Sequence, residues 1–165
     1  MRRPIPIVPG PDQESVWDYP RPPRLEAVSK RLRVIVEGVV LAETLRGFRT
    51  LETSHPPVYY FPPEDVQRAM LERSARRSFC EWKGQAVYYH IRVGHRWLQD
   101  VAWSYPVPTL TFAPLVDHLA FYSAPMDGCY VEEERVTPQP GIFYGGWITT
   151  DIVGPFKGEV GSEGW

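Results

Sequence analysis

Prolines recur along the whole chain in close pairs, at Pro22-Pro23, Pro56-Pro57, Pro62-Pro63, Pro106 with Pro108 and Pro138 with Pro140. Each fixes its own φ, lacks a backbone donor and pushes the preceding residue out of the α region, which excludes long helices almost everywhere. Eighteen prolines in 165 residues is about twice ordinary usage. The same length, with 43% hydrophobic residues, suffices for one domain with a real core and not for two. What remains open to such a chain is a fold of short strands joined by proline-ordered loops.

Strand patterns are found between the prolines. In RLRVIVEGVVLAETL, apolar and β-branched residues alternate on both sides of Glu37-Gly38, a dipeptide suited to a hairpin turn. Further strands are predicted at Arg49–Glu52, Val58–Phe61, Ala86–Val93, Trp97–Trp103, His118–Tyr122 and Gly128–Glu132, with Gly94-His95 as a turn. One helix is predicted near 63–74, in PPEDVQRAMLER. Pro63 suits a first-turn position, Glu64 and Asp65 face the positive helix end, Arg73 faces the negative end, and Val66, Ala69 and Met70 form a buried stripe. The fold class is therefore mainly β, a β-rich α+β domain of small antiparallel sheets. Residues 1–24 read as an extended proline-rich arm docked through Val16, Trp17 and Tyr19, residues 25–157 as a single domain, and residues 158–165 as a flexible glycine-rich tail.

Charge and composition exclude several classes of function. A formal charge of −2 and a pI near 6.1 do not supply the basic face that nucleic-acid binding requires. Residues 1–33 carry seven Arg or Lys against four acids, and residues 127–165 carry seven acids against two bases, a polarity that lets the two ends lie together. No apolar run reaches the length of a membrane span, and MRRPIPIVPG lacks the core of a signal peptide, so a cytoplasmic location is expected. Cys80 and Cys129, far apart and outside any Cys-x-x-Cys motif, are expected to be free thiols holding no zinc. The four histidines, at 55, 90, 95 and 118, show no metal-binding spacing, and no motif for a cofactor is present.

Two polar groupings could carry chemistry. Glu52 and His55 stand three residues apart before Pro56-Pro57, an acid and a base that suffice for proton transfer. The plainer alternative has Glu52 capping a turn or paired with an arginine, and His55 bonded to backbone beside the prolines. Cys80 and Lys83 are the second pair, since an ammonium beside a thiol favours the nucleophilic thiolate. On an uninterrupted strand, however, residues three apart point to opposite faces, and the alternative is a buried inert cysteine. Aromatic residues are the broadest signal. Most must fill the core, but rings beside glycine or proline suit a pocket wall. Trp103, Tyr105 and Trp147 are the predicted walls, with Glu52, His55 and Lys83 as polar contacts to a small organic ligand. On that reading Trp147→Ala would leave the domain folded. An enzyme using Glu52/His55 or Cys80/Lys83, or an interaction module with no ligand, are the competing readings.

The strings SVWDYPRPPR, LETSHPPVYYFPPEDV, CEWKG, AWSYPVP, HLAFY, VTPQPGIFYGGWIT and GPFKG, spread from Ser15 to Lys157, closely resemble those of a bacterial and fungal family, domain of unknown function 427. Cys80, Lys83 and Gly84 fit its Cys-x-x-Lys-Gly element, and Trp103 to Pro106 fit its Trp-Ser-Tyr-Pro element. The resemblance implies small, strongly coiled sheets similar to the β-tent of methionine sulfoxide reductase B and the cereblon ligand-binding domain. Many of those relatives hold zinc with paired cysteine motifs that this chain lacks. A nucleotidyltransferase name attached to the family finds no support here, for there is neither an Asp-x-Asp pair nor a phosphate-binding Gly-x-x-x-x-Gly-Lys loop.

Overall fold

The computed structural model describes residues 3–165, and the first two residues of the predicted arm lie outside the described ones. Three antiparallel sheets organise the chain. The first joins β2 (Arg24–Val28), β5 (Gly47–Leu51) and β6 (Val58–Tyr60) in the order β2-β5-β6. The second has the order β12-β11-β3-β4, from β3 (Leu32–Val36), β4 (Val39–Thr44), β11 (Gly128–Val131) and β12 (Glu134–Arg135). The third has the order β10-β9-β8-β7, from β7 (Leu71–Cys80), β8 (Gly84–Val93), β9 (Arg96–Ser104) and β10 (Leu119–Phe121). Two short pairs complete the set: β1 (Glu14–Ser15) runs parallel to β15 (Ile152–Val153), and β13 (Thr137–Pro138) antiparallel to β14 (Trp147–Ile148). The domain is mainly β, as its sequence patterns require.

Local chemistry explains the pairings. In the β3–β4 hairpin Val36 faces Val39 across Glu37 and Gly38, whose φ values of 51° and 72° give the doubly left-handed turn that matches strand twist. Gly94, at φ 59°, turns β8 into β9 in the same place the sequence indicates. The largest cluster of buried side chains, including Leu32, Val34, Leu41, Phe61, Ile91, Phe121 and Trp147, fills the space between sheets. A second cluster holds Tyr60, Tyr88, Trp103, Tyr105, Phe112 and Leu115.

The predicted helix near 63–74 needs correction. Helical backbone begins at Pro63 but occurs as two 3-10 turns, Pro63–Asp65 and Arg68–Met70, and residues from Leu71 onward belong to β7. Long-range pairing breaks the helix. Val66 is extended, at φ −120° and ψ 139°, and bridges to Ala42, while the Gln67 N–H donates to Leu41 O. Of the expected stripe Val66 is buried, Met70 half-buried and Ala69 exposed.

The arm follows the other end of the chain. The Ile7 N–H donates to Gly154 O, the Trp17 indole donates to Pro155 O, and Val16 is fully buried. Residues 158–165, read from the sequence as a flexible tail, turn back on themselves: Lys157 Nζ donates to Glu163 O and Trp165 O, Ser162 is buried, and the Trp165 ring meets the edge of Trp17.

Candidate functional site

Glu52, His55, Cys80 and Lys83 line one cavity of about 640 Å³. Its walls are the end of β5 with the loop that follows, the β7–β8 turn, the 139–145 loop and the chain near Lys157. Cys80 and Lys83 meet because β7 ends at Cys80, a turn occupies 81–83, and Gly84, at φ 105°, opens β8. The turn removes the strand geometry that would have pointed the two side chains apart. Gly84 is also closely approached, since a Cβ there would lie 3.1 Å from Val107 O.

The electrostatics differ between the two polar groupings. Arg21 donates to Glu52 Oε2 from Nε at 3.3 Å and Nη2 at 3.1 Å, so this carboxylate is already paired with a cation. His55 Nδ1 lies 2.9 Å from Thr53 O. A carbonyl can only accept, so Nδ1 carries the proton of the neutral ring and Nε2 keeps its lone pair. Burial depresses the His55 pKa, against the opposing effects of Glu52 and the Thr53 carbonyl, and the ring packs edge-on against Tyr144 at 5.1 Å between centroids.

Lys83 is different. No carboxylate comes within salt-bridge distance of it among the described residues. Burial opposes its charge, but Tyr60, Cys80 and Glu52 favour it and the net direction is upward, so the ammonium form is kept. Its Nζ stands 5.8 Å from the Tyr105 ring centroid and 6.0 Å from that of Phe112, within reach of their negative faces. Lys157, buried beside the same cavity, gives its ammonium to the main-chain carbonyls of Glu163 and Trp165.

Trp103, Tyr105 and Trp147 do not line this cavity. Trp147 is fully buried in the larger core cluster, its Nε1 donating to Phe121 O at 3.0 Å. Trp103 and Tyr105 are buried in the second cluster. The two sets of rings thus occupy separate parts of the core. The glycines that suggested a displayed ring permit close packing instead: a Cβ on Gly145 would fall 2.2 Å from Trp103 Cη2. Aromatic groups do rim the cavity, but they are Phe79, Trp82, Phe143, Tyr144 and Trp165, with Phe79 78% and Phe143 57% exposed. Trp82, Phe143 and Tyr144 belong to aromatic-rich strings visible in the sequence. Arg21, Gln139 and Lys157 fall in family-like strings but carry no local sign of a cavity role, and Phe79 and Trp165 lie outside those strings.

Both cysteines are free, and the fold separates their chemistry. Cys129 is 1% exposed, and burial pushes its thiol pKa well up, whereas Cys80 is half-buried at the cavity wall. Titration with an aromatic disulfide reagent is expected to count one thiol in the native protein and two after denaturation, the fast one disappearing in Cys80→Ser. Two fast native thiols, or none, would contradict this assignment.

A β-rich domain of small antiparallel sheets, with a charged cavity where strand ends, the β7–β8 turn and a glycine-rich loop meet, is the class of protein these observations define. Residues 24–132 match the family described as Domain of unknown function (DUF427). The chain belongs to that family. No curated protein matches the sequence. The matched segment contains Glu52, His55, Cys80, Trp82 and Lys83, whereas Gln139, Phe143, Tyr144 and Lys157 lie beyond it. No helix is long and apolar enough to cross a membrane among the described residues.

Proposed function

We propose that the protein binds a small organic molecule with a flat apolar body and one acidic group in the cavity around Lys83, and that it does so in the cytoplasm. The observation that carries this reading is Lys83 itself, a half-buried ammonium with aromatic neighbours, a place in the cavity wall and no carboxylate partner among the described residues. An anion entering there completes a pair that the protein leaves open, in surroundings where water screens it less than at the surface. Phe79, Trp82 and Phe143 offer the ligand body apolar faces at the rim, and stacking there contributes about 0.5–1.5 kcal/mol per ring beyond area burial. Glu52 and His55 supply polar contacts that orient it.

The test uses 1-naphthoate and its neutral counterpart 1-naphthamide, with binding followed by calorimetry. Lys83→Met keeps the stem and removes the charge. Naphthoate is expected to bind and to lose at least about tenfold in affinity in the variant, about 1.4 kcal/mol, while naphthamide binding is weak and unchanged. Equal losses for both compounds, or no naphthoate binding, would remove the ion-pair reading.

The turn that returns Lys83 to Cys80 favours a second reading, an enzyme in which the thiolate is nucleophile and neutral His55 the base. It requires that a bound compound be consumed by the native protein and not by Cys80→Ser, a difference that mass spectrometry of the reaction mixture would reveal.

A further inference from the structure

On the other side of the 139–146 loop lies a second cavity of about 470 Å³, sharing only Gln139, Tyr144 and Gly145 with the first. Two β-bulges flank it. On β7 the pairing with β8 passes from Arg73↔Tyr89 to Arg77↔Val87, so that Ser74, Ala75 and Arg76 stand opposite Tyr88 alone. Between β8 and β9 it passes from Tyr89↔Ala102 to Ile91↔Leu98, so that Gln99, Asp100 and Val101 stand opposite His90. Asp100 adopts φ 53°, uncommon for a residue with a side chain. The Ser74 hydroxyl, itself buried, donates to Asp100 Oδ1 and ties the two bulges together. Bulges re-aim side chains out of the regular pleat. Here they bring one cation and one anion, Arg76 and Asp100, to the wall of the same cavity.

Neither charge is neutralised by its neighbours. The Asp100 carboxylate, 20% exposed, lies 3.5 Å from His90 Nδ1, but the Asp100 N–H donates to that same nitrogen at 3.1 Å. An Nδ1 that accepts a hydrogen bond carries no proton, so His90 is not the cation of an ion pair. Asp100 Oδ2 has no partner among the described residues. The Arg76 guanidinium lies over the Tyr88 ring, Cζ 4.4 Å from its centroid, and no carboxylate reaches it among the described residues, Asp100 included. Tyr122 lines the same wall. A third group points the same way: Ser123 Oγ is enclosed there with no partner among the described residues.

We infer that this second cavity binds a zwitterion of the α-amino acid type with an apolar side chain, its carboxylate on Arg76, its ammonium on Asp100 and its side chain against Val101, Pro125 and Ile142. A cation and an anion that face one cavity without touching are bridged by a ligand with both charges attached to one carbon, whereas a ligand with one charge leaves the other group unmatched. The inference is independent of the Lys83 cavity, because none of these residues lines it.

Titration of the isotope-labelled protein with L-phenylalanine, followed by amide chemical shifts, tests it against N-acetyl-L-phenylalanine, which lacks the ammonium, and L-phenylalaninamide, which lacks the carboxylate. Phenylalanine is expected to move Gln99–Val101 and Ser123–Ala124, and each singly charged analogue to bind at least about tenfold more weakly. Asn is well tolerated at positive φ, so Asp100→Asn keeps the bulge. In it phenylalanine should lose its advantage over the N-acetyl compound, and in Arg76→Gln its advantage over the amide. No shifts at about 10 mM phenylalanine, a millimolar range in which a weak two-charge site still fills, would overturn the inference. So would analogues that bind equally well, or shifts confined to Glu81–Gly84 in the other cavity.

Discussion

Trp147→Ala is expected to lower the melting temperature of the domain by about 10–15 °C, through a loss of about 3–5 kcal/mol. The indole is fully buried and packs against Tyr59 at 5.4 Å and Phe61 at 6.0 Å between ring centroids. Truncation leaves a void that these close-packed neighbours cannot collapse into. It also removes the donor that satisfies Phe121 O, and an unpaired buried carbonyl costs about 1–3 kcal/mol by itself. Trp147→Phe separates the two contributions, because it keeps most of the volume and loses the hydrogen bond. Phe79→Ala, at the exposed cavity rim, is the control and should cost less than about 1 kcal/mol. Thermal melts of the three variants decide the matter. A Trp147→Ala protein that melts within about 2 °C of the wild type, a shift that corresponds to under 1 kcal/mol, would return Trp147 to the role of a removable wall that its glycine neighbours first suggest.

That reversal shows which parts of the site the sequence makes legible. Gly145 and Gly146 do mark a close approach, but absence of a Cβ says only that something comes near and not whether it is a ligand or the protein's own ring. Trp103 supplies the answer at Gly145. The polar members are legible because their proximity is local. Glu52 and His55 are joined by a turn in which the His55 N–H donates to Glu52 O, and Cys80 and Lys83 by the β7–β8 turn. Arg21, Gln139, Lys157 and Trp165 arrive from distant segments, and no periodicity announces them.

The same limit explains the strands. The β3–β4 and β8–β9 hairpins are written in alternation and in turns that need positive φ. β7 is not legible in the sequence, since LERSARRSFC lies at a sheet edge with only Ser74 buried among its ten residues, and so lacks the alternation that a half-buried strand displays. Its charged side chains and bulge suit an edge that must not pair with another chain. The sequence preceding it has good helical end signals, but pairing of Val66 and Gln67 with β4 outweighs a preference worth a few tenths of a kcal/mol per residue.

Gly146→Ala should loosen the loop that separates the two cavities at a cost of about 2–4 kcal/mol, although its φ is not in the left-handed region. The added Cβ would stand 2.6 Å from Pro56 O, 2.6 Å from Pro56 Cγ and 2.6 Å from Gln139 Oε1. None of these can retreat cheaply. Pro56 is followed by a second proline, and the Pro57 carbonyl accepts the Trp147 N–H at 2.8 Å. Gln139 is 4% exposed and bonded at both ends, accepting from the Gly146 N–H at 3.0 Å and donating to Lys157 O at 2.9 Å. Relief therefore comes from the loop moving outward, which breaks the Gln139 bonds and exposes the shared wall at Tyr144 and Gly145. Gly38→Ala is the contrasting variant: its φ is +72° but nothing lies within 4 Å of the added carbon, so it pays only backbone strain of about 1 kcal/mol. Hydrogen exchange read by mass spectrometry distinguishes them. In Gly146→Ala, peptides covering 53–58 and 138–150 should exchange faster while those covering 84–104 do not change, and in Gly38→Ala any acceleration should stay within the β3–β4 hairpin. Unchanged exchange at 138–150 in Gly146→Ala would mean that the loop is not held by its contact with Pro56 and Gln139, and that this glycine does not set the wall of the two cavities.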